Sequence, residues 1–325
     1  MIRRFLLSRE AVLLGILVVM FVAFSLFTKG FLDAYNLFER SRYWVAPGLI
    51  AVPMTFIIAT AGIDLSVASI VAMSGMILGL LYHDAQWPIP LAALAAILAG
   101  TAAGAFNGGV SSYLRIPPLV VTLATMALFR GIGMGLSQAR SISNFPKFFL
   151  WISQGGAFTI PTGSDTVISM PTPLFALAAV VLVGWILMRR SWVGRFTESI
   201  GENAIAAEFA AIDVRRLKFA LYTACGAVCG MAALFNTALY ATAKADAAAG
   251  MELEAIACVV VGGTRISGGE GSVIGSLLGL LIIGILKYGL EMAGIRAQNA
   301  VIFVGALVIA TAVLNERMAR KGIRN

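Results

Sequence analysis

Residues 44–82 decide the fold: WVAPGLIAVPMTFIIATA at 44–61, GIDLS at 62–66 and VASIVAMSGMILGLLY at 67–82. The only charged side chain in this stretch is Asp64. A helix of about 20 apolar residues crosses the ~30 Å hydrocarbon core of a bilayer, so each run is close to the length of one span. The stretch predicts two membrane spans joined by a short polar break.

Runs of this kind recur along the whole chain. Of the 325 residues, 59% are hydrophobic and 12% charged, whereas soluble domains carry roughly a quarter charged residues. We count about ten runs, at 11–28, 44–61, 67–82, 88–106, 119–136, 173–188, 219–240, 253–263, 273–290 and 299–314. The eighth is too short to span unbroken. We therefore predict an all-α integral membrane protein with about ten transmembrane helices, some broken, in a single polytopic domain over residues 1–325.

Lys and Arg residues are unevenly distributed between the two sides of a ten-span arrangement. The side that holds Arg115, Arg189 and Arg216 carries about twice as many as the other, which by the positive-inside rule places both termini in the cytoplasm. Arg130 and Lys287 lie near span ends, where long side chains snorkel. The formal net charge of +8 is therefore explained by topology, and no nucleic-acid partner is expected.

Metal and redox chemistry have no support in the sequence. The single His and the three Cys are too few and too scattered for a zinc, haem or iron–sulfur site. We expect Cys225 and Cys229, one helical turn apart, to be small packing residues. Glycines at four-residue spacing are expected to pack helices within the chain. They occur at Gly100–Gly104–Gly108, Gly131–Gly135, Gly226–Gly230 and Gly271–Gly275–Gly279.

The polar segment 189–218 predicts a short helix on the cytoplasmic face. Asn203 can cap a helix over residues 204–212, in which Ile205, Phe209 and Ile212 form an apolar stripe. Glu202 and Glu208 replace the Lys and Arg that membrane-surface helices favour. This charge favours docking to a partner protein over lying in lipid headgroups.

Two further breaks interrupt the apolar runs. The glycine-rich segment 261–272 has no Gly-x-x-x-x-Gly-Lys-Ser/Thr motif, so no nucleotide site is predicted in this chain. Asp64 and Ser66 stand where the third span begins. Asp64 is either an N-cap for that span or part of a transport path or its gate.

The sequence resembles the membrane permease subunits of bacterial ATP-binding-cassette importers for simple sugars, the group with ribose, galactose, rhamnose and autoinducer-2 importers. The resemblance runs from about residue 31 to 295. It rests on GIDLSV at 62–67, IPPLVVTLATM at 116–126, FRG at 129–131, GR at 194–195, GGT at 262–264 and SGGEGS at 267–272.

The resemblance implies a subunit of the bacterial inner membrane that is not itself an enzyme. Its partners would be a second permease, cytoplasmic ATPases that bind the ATP, and an extracytoplasmic sugar-binding protein; the chain itself needs no cofactor. Residues 200–212 look like the helix that couples to the ATPase, with Gly201, Glu202, Asn203, Ile205, Glu208, Phe209 and Ile212 as the coupling residues. This chain departs from the family at Ala68 and Ala211, where relatives usually carry Gly, and at 202–207.

Polar side chains within apolar spans are candidates for the transport path. Asn107, Thr122 and Thr125, together with Asp64 and Ser66, are the expected path or gate residues, although each also suits a helix–helix hydrogen bond. A permease for branched-chain amino acids or nucleosides is an alternative. An ion-coupled carrier is less favoured, because the spans have almost no ionisable residues near their middle. An integral-membrane enzyme is disfavoured by the lack of a His or Cys cluster.

The predicted topology is open to a direct labelling test. A single Cys introduced near Arg320, with the native Cys removed, should react with an impermeant thiol reagent only after the membrane is opened. Labelling from outside in intact cells would contradict the arrangement with ten spans and both ends inside.

Overall fold

The computed structural model describes residues 9–138, 140–161 and 167–320, and the two ends, 1–8 and 321–325, lie outside the described residues. The first part of the chain forms α1 (Arg9–Phe27), α2 (Ala34–Ala59), α3 (Val67–His83), α4 (Ile89–Tyr113), α5 (Pro118–Ser137) and α6 (Lys147–Gln154). A hairpin of β1 (Gly156–Pro161) and β2 (Val167–Pro171) follows. The remainder forms α7 (Pro173–Arg190), α8 (Trp192–Glu202), α9 (Ala204–Phe209), α10 (Val214–Tyr240), α11 (Met251–Val261), α12 (Val273–Met292) and α13 (Ala297–Arg320).

Each of the ten apolar runs lies in a helix, which confirms the predicted multi-pass helical fold. Among the described residues, seven helices are long and apolar enough to cross a bilayer, and two shorter apolar helices add to them. The eighth run forms α11, whose 11 residues extend only about 16 Å. As predicted, this helix is too short to span unbroken.

Contacts between span ends sort the molecule into two sides. On the side that carries Arg115, Arg189 and Lys218, here called the basic side, Arg189 approaches Glu10 to 3.5 Å. On the opposite side, here called the hairpin side because it carries α6, β1 and β2, Arg140 pairs with Asp84 at 3.2 Å.

Helix α2 lies at the centre of the bundle. Most of its residues from Ser41 to Ala59 are buried, against α10, α11, α12 and α7. Leu49, Ile50 and Ile57 are completely inaccessible to solvent. The core of this protein is therefore built around one span, and the outer spans keep large apolar side chains for lipid.

Glycines bring α4 and α10 into direct backbone contact. A Cβ atom at Gly104 would overlap the Tyr222 carbonyl oxygen and stand 2.9 Å from the Gly226 Cα. Cys225 and Cys229 are fully buried, as expected of small residues in such a contact. The expectation was wrong for Gly131 and Gly135, because both are exposed and a Cβ atom added at either would meet no non-neighbouring atom within 4 Å.

The hairpin side carries a cap that was not predicted, formed by α6 and the antiparallel pair β1–β2. Arg42, a buried residue of α2, donates to the carbonyl oxygens of Ser153 and Gly155 at 2.6 and 2.7 Å. These carbonyls lie at the end of α6, where a cation satisfies unpaired acceptors. Glu39 holds the Arg42 guanidinium at 2.7 Å, so the cap is fastened to the central helix.

Replacing a contact glycine should destabilise the bundle. Gly104→Leu forces α4 away from α10, and we expect the free energy of unfolding to fall by about 1–3 kcal/mol, as overpacked cores show. Gly15→Leu is the matched control, because Gly15 has nothing within 4 Å on the outer face of α1. The measurement is the thermal midpoint in detergent, and equal midpoints for the two variants would contradict the assignment.

Candidate functional site

The break between α2 and α3 holds a buried polar cluster. Asp64 Oδ1 accepts hydrogen bonds from the Ser66 backbone N–H at 2.9 Å and the Ser66 hydroxyl at 2.6 Å. The Asn107 amide, on α4, donates to the Ser66 hydroxyl at 2.7 Å. All three side chains are fully buried, and Asp64 Oδ2 and Asn107 Oδ1 have no partner in the described chain. Buried polar groups usually have a hydrogen-bond partner. The two unpaired oxygens cost stability, so they indicate a candidate functional site.

Asp64 does not cap α3. The N-cap position belongs to Ser66, whose side chain makes no capping hydrogen bond. Asp64 lies two residues earlier and closes a turn onto the Ser66 N–H, the pattern of an Asx turn. The N-cap interpretation is therefore wrong in its geometry, while the path or gate role of Asp64 and Ser66 stays a prediction.

Two threonines of α5 lie next to this cluster. The Thr122 hydroxyl donates to the Ile63 carbonyl at 3.1 Å, which ties α5 to the α2–α3 break. The Thr125 hydroxyl turns onto its own helix and donates to the Thr122 carbonyl at 3.3 Å. Both are buried. The structure thus brings together Asp64, Ser66, Asn107 and Thr122 in a closed contact, with Thr125 one turn away.

Helices α8 and α9 form an exposed edge on the basic side. Asn203 Oδ1 accepts from the Ala206 N–H at 3.0 Å, which confirms Asn203 as the cap of α9. The side chains of Ile205 and Phe209 are 68% and 88% exposed, and Glu202 and Glu208 are exposed beside them. Large apolar side chains this exposed on one short helix indicate a partner surface. We call Ile205 and Phe209 the docking pair.

The end of α9 differs from the expectation. The helix stops at Phe209 instead of continuing to residue 212, and Ile212 packs beside Val214 and Leu217. The predicted three-residue stripe is therefore wrong, because Ile212 belongs to a small core. Ala211 adopts φ +60°, a left-handed conformation that costs an L-residue roughly 1–2 kcal/mol and costs Gly little. A Gly at this position, which the resemblance implies for the family, would adopt the same conformation at little cost.

Glu198 on α8 lies next to the glycine-rich turn. Burial raises the pKa of the Glu198 carboxyl, and the nearby Arg189 guanidinium and Gly271 backbone N–H oppose that rise. A partly desolvated carboxylate therefore lies between the docking edge and the turn.

A cavity of about 710 Å³ opens on the hairpin side among α2, α10, α11 and α12. It exists because α11 is short, so the loop 241–250 and open space take the place of its missing turns. Irregular backbone at membrane depth is tolerated where it lines such a space. Its polar lining includes Arg40, Tyr43, Tyr240, Glu254, Lys287 and Glu291.

Ion pairs line this cavity. Lys287 bonds to Glu254 at 2.6 Å, and Arg40 bonds to Glu291 at 2.8 Å. Arg130 donates to two carbonyls of the 241–250 loop at 2.8 Å, and the snorkelling of Arg130 and Lys287 stays a prediction. This site was not predicted from the sequence, in which its signal is four charged residues at span ends on one side. Within the described ranges no His, Cys, Asp and Glu side chains gather as metal ligands would.

The chain is similar to known transport proteins over nearly its whole length. Residues 37–312 match the family described as "Branched-chain amino acid transport system / permease component". The autoinducer 2 import system permease protein LsrD of Escherichia coli (strain SMS-3-5 / SECEC) is 33% identical over 310 residues, 94% of this chain and 91% of the relative. The protein of the same name from Salmonella paratyphi B (strain ATCC BAA-1250 / SPB7) is 33% identical over 308 residues with the same coverage. No solved structure matches the chain.

Variants of Asp64 separate a structural role from a gating role. Asp64→Ala leaves both Ser66 donors without their acceptor, so we expect the free energy of unfolding to fall by about 1–3 kcal/mol. Asp64→Asn keeps an acceptor oxygen and should retain most stability. If Asp64 gates the path, Asp64→Asn should nevertheless abolish uptake while the complex assembles.

The measurements are the thermal midpoint and solute uptake of each variant. Ser112→Ala is the matched control, because the Ser112 hydroxyl is buried and already has no partner. A wild-type midpoint and wild-type uptake for Asp64→Ala would remove both roles.

Proposed function

This chain belongs to the branched-chain amino acid transport system permease family, and from that premise we propose that it forms part of the path by which an ATP-driven importer brings a sugar-like solute into a bacterial cell. The similarity to the autoinducer 2 permeases carries this proposal, because it extends over 94% of the chain. The solute class is transferred from the names of those relatives.

The cavity supports a solute that is rich in hydroxyl groups. Its lining combines the pairs Lys287–Glu254 and Arg40–Glu291 with tyrosine hydroxyls, so donors and acceptors face the space without a large excess of one charge. A concave pocket in which polar groups converge is typical of a small-molecule site. Branched-chain amino acids and nucleosides are the alternative solutes, and an ion-coupled carrier is the alternative mechanism.

The docking pair supports a cytoplasmic ATPase as the partner on the basic side. In this proposal the basic side faces the cytoplasm, and Glu202, Asn203, Ile205, Glu208 and Phe209 form the coupling surface. Gly201 lies behind that surface, against Ala59 and Gly269. The ATPase, and not this chain, binds and hydrolyses ATP. An extracytoplasmic binding protein delivers the solute to the cavity on the hairpin side.

The outer face of α5 supports a second permease subunit, the same or related. Gly131 and Gly135 are exposed there with nothing within 4 Å, beside exposed Leu128 and Ile132. Exposed glycines four residues apart let another helix approach closely in lipid. The path would then lie between this chain and its partner.

The proposed mechanism is alternating access. Movement of the ATPases displaces the coupling surface, and the paired permeases change the side to which the path opens. In the structure, the cluster of Asp64, Ser66, Asn107 and Thr122 is closed while the cavity on the hairpin side is open. This combination supports a conformation that faces outward, with the polar cluster as the inner gate.

The docking pair makes this proposal testable. Removing a buried Phe costs roughly 1.5–3 kcal/mol, so Phe209→Ala should weaken ATPase association about tenfold or more, and Phe209→Asp should weaken it further by placing an unpaired charge in the contact. The measurement is recovery of the ATPase with the tagged permease, together with ATP-driven uptake in vesicles that contain the binding protein.

Phe158→Asp is the control for that test. Phe158 is 78% exposed but lies on the hairpin side, so its replacement should leave ATPase recovery unchanged. Wild-type ATPase recovery and uptake with Phe209→Asp would refute the coupling surface.

A further inference from the structure

Three segments of the chain meet backbone to backbone on the basic side. They are the last turn of α8 at Gly201, the end of α2 at Ala59, and the glycine-rich turn at Gly268 and Gly269. The Gly269 N–H donates to the Ala59 carbonyl oxygen at 3.0 Å. A Cβ atom at Gly201 would overlap both of those atoms. We call Ala59, Gly201, Gly268 and Gly269 the glycine joint.

The residue type at these positions follows from the close approach. Gly268 and Gly269 adopt φ values of +85° and +87°, which glycine reaches without a steric penalty. A Cβ atom at Gly268 would lie 2.9 Å from the Ala61 nitrogen and the Gly201 Cα. No side chain separates the three segments at the joint, so their backbones touch.

One arm of the joint leads to the coupling surface. Gly201 stands two residues before Asn203, whose side chain caps the helix that presents Phe209. One turn before Gly201, the Glu198 carboxylate lies close to the Gly271 N–H of the same glycine-rich turn. Helix α8 therefore approaches the turn at two successive points, of which the backbone contact at Gly201 is the tighter.

The other arm leads to the buried polar cluster. Ala59 ends α2, and Ala61 turns the chain with φ +58°. A Cβ atom at Gly62 would lie 2.8 Å from the Tyr222 hydroxyl, so this residue also passes tightly between its neighbours. The Ile63 carbonyl then accepts from Thr122, and Asp64 begins the cluster. Every step from Ala59 to Asp64 is fixed by a close contact or a hydrogen bond.

We infer that the glycine joint transmits displacement of α8 and α9 to the α2–α3 break, so that Gly201 is a positioning residue for opening and closing the Asp64 cluster. The inference rests on the proposed function, because the displacement requires an ATPase docked on Phe209. Backbone atoms in contact have no rotamers to absorb a movement, and tightly packed interiors transmit strain. The glycine contact between α4 and α10 joins two spans, whereas this one joins a docking edge to a gate.

The test compares ATP hydrolysis with solute uptake in the complete complex with its binding protein. Gly201→Ala keeps the docking pair intact, so ATPase recovery and ATP hydrolysis should stay near the wild-type values. Uptake per ATP should fall about threefold to thirtyfold, the range by which changes within a coupled network alter coupling. Gly15→Ala is the control, because Gly15 has nothing within 4 Å, and its ratio should equal that of the wild type.

A second pair of variants loosens the joint without adding a clash. Glu198→Ala removes the carboxylate that lies close to the Gly271 N–H and should lower uptake per ATP, whereas Glu198→Gln keeps an oxygen there and should restore it. This pair decides the matter if Gly201→Ala fails to assemble. A wild-type ratio of uptake to hydrolysis in assembled Gly201→Ala, or in Glu198→Ala if the glycine variant does not assemble, would overturn the inference.

The two proposals fail in different ways. If the wild-type tagged chain recovers no ATPase, the proposed function is wrong. If ATPase recovery depends on Phe209 but the ratio of uptake to hydrolysis is unchanged in the joint variants, the proposed function stands and the glycine joint is only a packing contact.

Discussion

The bilayer leaves a backbone polar group no solvent to bond with, and this constraint shapes the whole molecule. Ten apolar runs satisfy it by forming helices. The three irregular stretches between or beside them satisfy it by being covered. The α2–α3 break is enclosed by α4 and α5, the glycine-rich turn lies against the ends of α2 and α8, and the loop 241–250 borders a cavity and receives Arg130. Each of these three stretches is also a place where function is proposed.

The irregular stretches differ in packing between the two sides of the molecule. On the hairpin side, charged residues that lie far apart in the sequence pair around open space, as Lys287 does with Glu254. On the basic side, polar groups and glycines close against one another, and the docking pair is exposed beside them. An open, charged end on the hairpin side and a closed end on the basic side, connected to an exposed apolar edge, suit the proposed permease that a separate ATPase drives.

Local rules predicted what depends on local sequence. The spans followed from run length, and the Asn203 cap followed from its position before a run of helix formers, because both are set within a few residues. The cap of α6 and the hairpin was missed, since its anchor is Arg42, more than a hundred residues from the carbonyls it binds. Gly131 and Gly135 share the spacing of Gly100 and Gly104, yet only the latter meet another helix of this chain. Glycine spacing identifies a helix face that another helix can approach closely. Which helix packs there depends on the tertiary structure, which the spacing does not show. Asp64 was expected at the N-cap of α3, but the helix begins two residues later, so Asp64 forms a turn with Ser66.

Helix α2 is synthesised long before most of the helices that bury it. This helix has the lowest mean hydropathy of the seven candidate spans and contains Pro47 and Pro53, yet it is the second to be made. Its principal partner α10 ends about 180 residues later, which at 5–20 residues per second takes on the order of ten to thirty seconds. For that interval the span least suited to lipid has no core to enter. Until the second half of the chain encloses α2, one of two things must therefore happen. The insertion machinery retains the helix, or lipid contacts the faces of α2 that are later buried in the protein.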